Sequence, residues 1–176
     1  MPYPRLRFET CRLVRFEEHH LTERYVSWLN DPAVVRYSEQ RHQRHSLASC
    51  DSYFRSFAAS ENYFLAIEAQ EAVLGHIGNI SVNVDRVNGT ADLSILIGER
   101  LAAGRGLATT AWQGLMHYLL AENRLRKVTA GTMSTNHSML KLIERSGMFI
   151  EGRRSRQFVF EGGEADLVFA AKFKSP

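Results

Sequence analysis

Residues 90–109 read TADLSILIGERLAAGRGLAT, a strand feeding a glycine loop feeding a helix. Leu93, Ile95 and Ile97 alternate with Asp92, Ser94 and Leu96, the period of a strand with one mainly apolar face. Gly98 ends the run, and Gly104 and Gly106 bracket Arg105 where helical spacing begins with Leu107, Ala111, Leu115 and Leu119. A strand–glycine–helix junction attracts phosphate. The first N–H groups of a helix lack internal partners, the helix dipole places about half a positive charge there, and glycine lets an anion approach the backbone. Arg105 adds forked donors.

Two phosphate motifs fail here. A Walker loop has four residues between its glycines, then Lys and Ser/Thr, whereas Gly98 and Gly104 enclose five and Arg105 follows. A dinucleotide fingerprint wants a third glycine where Thr109 stands and an acidic residue ending the next strand, where RKVTAGT supplies none. Instead, Leu101-Ala102-Ala103-Gly104-Arg105-Gly106, continued by Leu107-Ala108, resembles the acyl-CoA pyrophosphate loop of the GCN5-related N-acetyltransferases (GNAT), Gln/Arg-x-x-Gly-x-Gly/Ala. The chain departs from that pattern at its first position, which holds Leu101, with Arg100 one residue early.

A second segment agrees in order and spacing. Residues 136–148, NHSMLKLIERSGM, resemble the family's Asn-x-x-Ser/Ala/Met-x-x-Leu-x-x-x-x-Gly-Phe, which packs beside the pantetheine arm. Taken alone, Asn136 is also a sensible helix N-cap and Gly147 a sensible residue after a helix C-terminus. The two segments together identify the chain as a GNAT superfamily member over roughly residues 11–173.

Composition is compatible with this. The chain has 176 residues, 44% of them hydrophobic, enough for one domain with a proper core. A net charge of +3 with scattered Lys and Arg suits an anionic small molecule better than nucleic acid, since no basic stripe is interleaved with aromatics. Cys11 and Cys50 lack CxxC or metal-like spacing and read as buried, unreactive thiols. No apolar stretch suits a signal core or membrane span, so the expectation is a cytoplasmic protein, in which the sequons at Asn88 and Asn136 are chance matches.

Taken in order, residues 11–16 alternate as a strand and residues 19–31 read as a helix stopped by Asp31-Pro32. Residues 34–45 form a polar loop, and Ser46 caps a second helix. Strands follow at 62–68 and 73–84, then the glycine-loop helix, a strand at 127–132, the helix after Asn136, and strands at 148–160 and 165–173 joined by the glycines at 162 and 163. This order matches an α/β (α+β) GNAT fold, a mixed, mostly antiparallel sheet of about seven strands flanked by four helices, in one domain. Phe158, Phe160, Val168 and Phe169 suit either the core or an apolar contact between subunits of a homodimer.

The resemblance implies direct transfer of an acetyl group from acetyl-CoA to a primary amine, with no metal. His42 and His45 lack partners at a metal-site spacing. The amine must be neutral, the oxyanion needs a donor, and the thiolate benefits from a proton. By resemblance, Leu96, Ile97 and Gly98 lie beside the acetyl group and offer backbone donors, the stretch from Ala103 to Ala108 cradles pyrophosphate, and Asn136 and Met139 flank the pantetheine. Asp92 stands where many relatives carry a strand Glu and is the leading base, with Glu39 second. Ile143 replaces a Tyr that serves many relatives as acid, leaving Ser138, Tyr37 and Tyr118 as substitutes. Tyr37, Arg41 and His42 belong to the loop that walls the acceptor site in the superfamily. The 30–39 run NDPAVVRYSE with Arg41 looks closer to the enzymes that acetylate nucleotide-linked amino sugars than to the ribosomal-protein N-terminal acetyltransferases of the same branch. Arg41 and Arg44 would meet the diphosphate. A protein N-terminus is the alternative acceptor, and a non-catalytic acyl-CoA sensor is the alternative of another class.

Overall fold

A computed structural model describes residues 3–174. Alternating side chains build a sheet whose two faces are covered by different helices. The elements in order are β1 (Leu6–Arg7), β2 (Cys11–Arg15), α1 (Glu23–Leu29), α2 (Pro32–Val35), α3 (Leu47–Ser56), β3 (Tyr63–Ala69), β4 (His76–Asp85) and β5 (Thr90–Ile97). Then come α4 (Leu107–His117), β6 (Lys127–Met133), α5 (His137–Arg145), β7 (Phe149–Phe160) and β8 (Gly163–Phe173), with short 3₁₀ turns at Glu18–His20, Glu39–His42 and Arg100–Ala102. The strand order is β1-β2-β3-β4-β5-β6-β8-β7, antiparallel throughout except for β5 and β6. Eight strands stand where about seven were expected, because residues 6–7 add a short edge to β2.

One face buries Leu65, Ile80, Leu93 and Val128 under Trp112 and Leu115 of α4 and Ile143 of α5. The other buries Phe16, Phe64 and Ala66 under Tyr25 and Trp28 of α1 and Cys50 of α3. Each fully buried large side chain contributes roughly 1.5–3 kcal/mol relative to exposure. Cys11 and Cys50 are buried free thiols, and burial pushes both pKa values up, as expected for unreactive cysteines.

Several boundaries differ from the sequence expectation. The helix expected over 19–31 begins only at Glu23, because Thr22 caps it by accepting the Tyr25 N–H at 3.2 Å. Asp31-Pro32 starts a helix as well as ending one: Asp31 Oδ1 accepts the Ala33 N–H at 2.9 Å, with Pro32 at the first helical position. The strand expected from residue 73 begins at His76, since Leu74 and Gly75 donate back to Glu71 O in a turn that leaves Val73 exposed. The late hairpin closes on Glu161 and Gly162, both left-handed (φ 50° and 78°), as a two-residue loop between paired Phe160 and Gly163 requires.

Candidate active site

The site begins where the sheet opens. β5 and β6 pair only from Thr90–Lys127 to Asp92–Thr129, while β6 continues in register with β8 as far as Met133–Leu167. The ends of β5 and β6 therefore splay, leaving the β5 edge from Leu93 to Ile97 facing a gap. β5 stays bound to β4 out to Gly78–Ile97. Gly78 makes that close approach practicable, since a Cβ there would lie 2.3 Å from Leu96 O.

Strand parity decides which amides face the gap. Gly98 N–H donates to Ile77 O at 3.0 Å, and Glu99 N–H reaches the same oxygen at 3.1 Å. Counting back along an antiparallel ladder, the N–H groups of Leu96 and Ser94 point at β4, and those of Ile97 and Ile95 point into the gap. The Gly98 amide expected beside the acetyl group is thus already engaged, and Ile97 supplies the nearest unengaged donor. Gly98 instead gives Trp28 a seat: a Cβ there would lie 1.9 Å from the indole. The Leu96 side chain packs with the α1 cluster and that of Ile97 with the α4 cluster.

The loop after β5 is shaped for an anion. Glu99 accepts the Leu101 N–H at 2.9 Å and fixes a 3₁₀ turn that ends at Ala103, whose amide donates to Arg100 O. Gly104 and Gly106 are left-handed (φ 73° and 76°) with open space where a Cβ would stand. Gly106 is the N-cap of α4, without a side-chain cap, and the first intrahelical bond runs from Thr110 N–H to Gly106 O. The Leu107, Ala108 and Thr109 amides are therefore presented at the positive end of the helix. Leu101 is 70% exposed. Arg100 does not stand in for the family's Arg, because its guanidinium pairs with Asp31 at 2.6 Å. Arg105 pairs with Glu71 on the turn before β4 rather than lying across the cradle.

Asn136 caps α5 by accepting the Met139 N–H at 3.2 Å, and Gly147 (φ 66°) ends it, with Met148 N–H donating to Ile143 O. Met139 packs partly against the α4-side core. Ser138 is exposed in the first turn, and the described residues give its hydroxyl no hydrogen bond. Tyr118, the third hydroxyl named for the acid role, lies in a π-helical extension of α4, Tyr118–Glu122, and packs against the α4-side core.

Asp92, Ser94 and Leu96 share one face of β5, on which Leu96 packs with the α1 cluster while Asp92 and Ser94 are exposed. Asp92 Oδ2 accepts the Thr129 hydroxyl at 2.7 Å across the last paired rung before the splay. Loss of water between the strands raises the Asp92 pKa, and the Thr129 hydrogen bond opposes the rise. Thr129 carried no sequence signal, since only strand register brings it to Asp92. Ser94 pairs with Ser81 in register, and Tyr53 of α3 lies against Ser81. His76 and Asn79 complete the polar set on this face. His76 Nε2 bonds Asn79 Oδ1 at 2.9 Å and Gly78 O at 3.1 Å, and burial depresses its pKa to about 4.

At the open end of the splay lies a groove of about 470 Å³ between Tyr37, Thr135, His137 and the tip of the β7–β8 hairpin. Tyr37 stacks on Phe160 with centroids 5.4 Å apart, and Arg36 lies over both rings while forking onto Glu161 at 2.7 Å. Arg41 is turned inward, donating to Glu39 at 2.8 Å and to Ser38 O at 2.9 Å. Glu39 and His42 are exposed on the same 3₁₀ turn, 3.9 Å apart. Of the loop residues named from the sequence, only Tyr37 lines the groove.

A family model described as the acetyltransferase (GNAT) domain matches residues 11–149, more than half of the chain. No curated protein matches it. Among solved structures, the chain is similar to RimL, a ribosomal L7/L12 α-N-protein acetyltransferase, in complex with coenzyme A, at 14% identity and TM-score 0.82 over 94% of this chain and 95% of that one. It is similar to the spermidine N-acetyltransferase from Vibrio cholerae in complex with CoA and spermine, at 18% identity and TM-score 0.81 over 93% and 95%. It is also similar to the microcin C7 self-immunity acetyltransferase MccE in complex with acetyl-CoA and AMP, at 16% identity and TM-score 0.78 over 94% and 93%. With the family model spanning both the splayed strands and the glycine cradle, this chain belongs to the GNAT acetyltransferases.

Proposed function

We propose that this acetyltransferase moves the acetyl group of acetyl-CoA onto the amine of a nucleotide-linked amino sugar. The observation that carries the acceptor reading is the row of hydroxyls on the β4–β5 face. Thr129 donates to one carboxylate, Asp92, and Ser94, Ser81 and Tyr53 continue the same face beyond it, a lining that suits the hydroxyls and single amine of a sugar better than an extended cation. The Tyr37–Phe160 stack at the groove mouth offers a flat apolar surface for a sugar or base. The groove carboxylates are already matched, Glu161 by Arg36 and Glu164 by Arg156, which disfavours the protein N-terminus as acceptor. Since Arg41 is turned inward, the diphosphate contact falls to Arg44, which is exposed and has no carboxylate partner among the described residues. MccE, described with acetyl-CoA and AMP, is compatible with a nucleotide-bearing acceptor in this fold.

The cradle fits the coenzyme. The α4 amides with Gly104 and Gly106 would hold pyrophosphate, and Asn136 and Met139 would flank the pantetheine arm. Acetyl-CoA supplies an activated thioester. Asp92, through a water, takes the proton that the attacking amine must shed, the Ile97 N–H donates to the developing oxyanion, and the thiolate leaves unaided because a thiol is already acidic at about 8.5.

The test is thiol release from acetyl-CoA with panels of nucleotide-linked amino sugars and of ribosomal N-terminal peptides, with products identified by mass. Turnover on an amino sugar is expected. Turnover only on peptides would overturn the acceptor, and coenzyme binding without turnover on any amine would favour a sensor.

A further inference from the structure

At the β1 edge of the sheet, register sets Arg7 directly opposite Arg12, and Arg12 opposite Glu68. Like charges opposed on neighbouring strands repel, and one carboxylate serves this row. Glu68 is already committed. It receives Arg12 on one oxygen and, at 3.1 Å on the other, the Nε2–H of buried His20. The His20 tautomer is fixed because its Nδ1 accepts the Glu17 N–H at 3.0 Å. His19, His20 and Glu68 crowd together at metal-like spacing, but His20 has no lone pair left and Arg12 already occupies the carboxylate, so the cluster does not suit a cation.

Arg5, just before β1, and Arg7 both lack a carboxylate partner among the described residues. With Arg12, Arg15 and His19 they line an open groove of about 390 Å³. Its other carboxylate, Glu17, stands 3.6 Å from His19. Arg15 leaves β2 on the opposite face and stacks over Tyr3 at 4.6 Å, so Arg5, Arg7 and Arg12 are left with Glu17 and with Glu68, which His20 already shares. Charges that only guard a sheet edge belong on the edge strand, whereas Arg12 lies on β2, one strand in.

We propose that this groove binds a small anion carrying two or more adjacent phosphates, at a site separate from the coenzyme loop. Guanidinium forks receive phosphate oxygens in pairs, and an anion between Arg7 and Arg12 would relieve their repulsion. Strands β3, β4 and β5 stand between this groove and the splay.

The experiment is calorimetric titration of the full chain with inorganic pyrophosphate in saturating coenzyme A, which fills the glycine cradle, against sodium chloride of matched ionic strength. One pyrophosphate per chain is expected, weakened at least tenfold in Arg5→Ala/Arg7→Ala, with coenzyme affinity and urea midpoint retained. Should that variant lose its urea transition, Arg7→Gln alone is titrated, with a weakening of at least threefold expected. Loss of binding when coenzyme A saturates, heat no greater than with sodium chloride, or equal binding by wild type and variant would each overturn the proposal.

Discussion

Gly98 has no room for a methyl group. Its Cβ position is occupied by the Trp28 indole near the root of that side chain, so Gly98→Ala must displace a buried ring. Overpacking of this kind costs about 1–3 kcal/mol, and a lowered urea midpoint with unchanged slope is the expected result. Asp92→Asn tests a different residue-scale statement. The amide keeps the hydrogen bond from Thr129 but cannot take a proton, so kcat/KM should fall about 100-fold while acetyl-CoA affinity holds. The acid limb of the wild-type pH profile should disappear with it. If the limb survives in Asp92→Asn, the base is another group.

In the proposed reaction the junction between β5 and α4 holds the coenzyme. Gly106 caps the helix in the left-handed region with no atom near its Cβ position, so Gly106→Ala meets backbone strain of about 1 kcal/mol and no clash. The added methyl would stand in the cradle. Coenzyme A affinity should therefore drop at least tenfold, far more than the loss of stability accounts for, as read by titration beside a denaturant curve. The pairing of Arg100 with Asp31 joins this same loop to the α1–α2 corner. The 2.9 Å bond from the Ala33 N–H comes first, and Arg100 next, in holding the Asp31 carboxyl below the usual range. Asp31→Ala should cost about 1 kcal/mol of stability through loss of the cap, visible as a lower midpoint.

For the molecule as a whole, the buried imidazoles under α1 make stability depend on pH. His76 titrates at about 4 in the folded chain against 6.5 unfolded, because burial disfavours its charged form, and burial also lowers His20. Between pH 6.5 and 4 the unfolded chain binds more protons, so stability should fall as pH drops through that window, by up to about 3 kcal/mol from His76. Glu68 extends the loss at lower pH. Burial raises its pKa, but the donors His20 and Arg12 outweigh burial and hold it low, so its contribution fades only as pH falls through its folded value. Urea midpoints measured across this range should decline toward acid, and His76→Gln should flatten the upper part of the decline.

Much of this architecture is legible in local sequence. The alternation of residues 90–97, the glycines at 104 and 106 and the caps at Ser46, Asn136 and Gly147 are local signals, set by backbone geometry and by periods of two and 3.6, and each stands in the fold as read. What depends on the register of strand pairing is not legible there. Register alone brings Thr129 to Asp92, opposes Arg7 to Arg12, turns the Ile97 amide toward the splay and engages that of Gly98. Charged residues that read as free in the sequence find partners elsewhere in the fold, Arg105 on Glu71 and Arg100 on Asp31, while Arg41 turns onto its near neighbour Glu39. The sequence by itself determined the strand, the glycine loop and the family they belong to, because those follow from contacts between near neighbours. Only the tertiary structure decided which amides and charges remain available for chemistry, because a donor is free or engaged according to what the rest of the chain brings within about 3 Å of it.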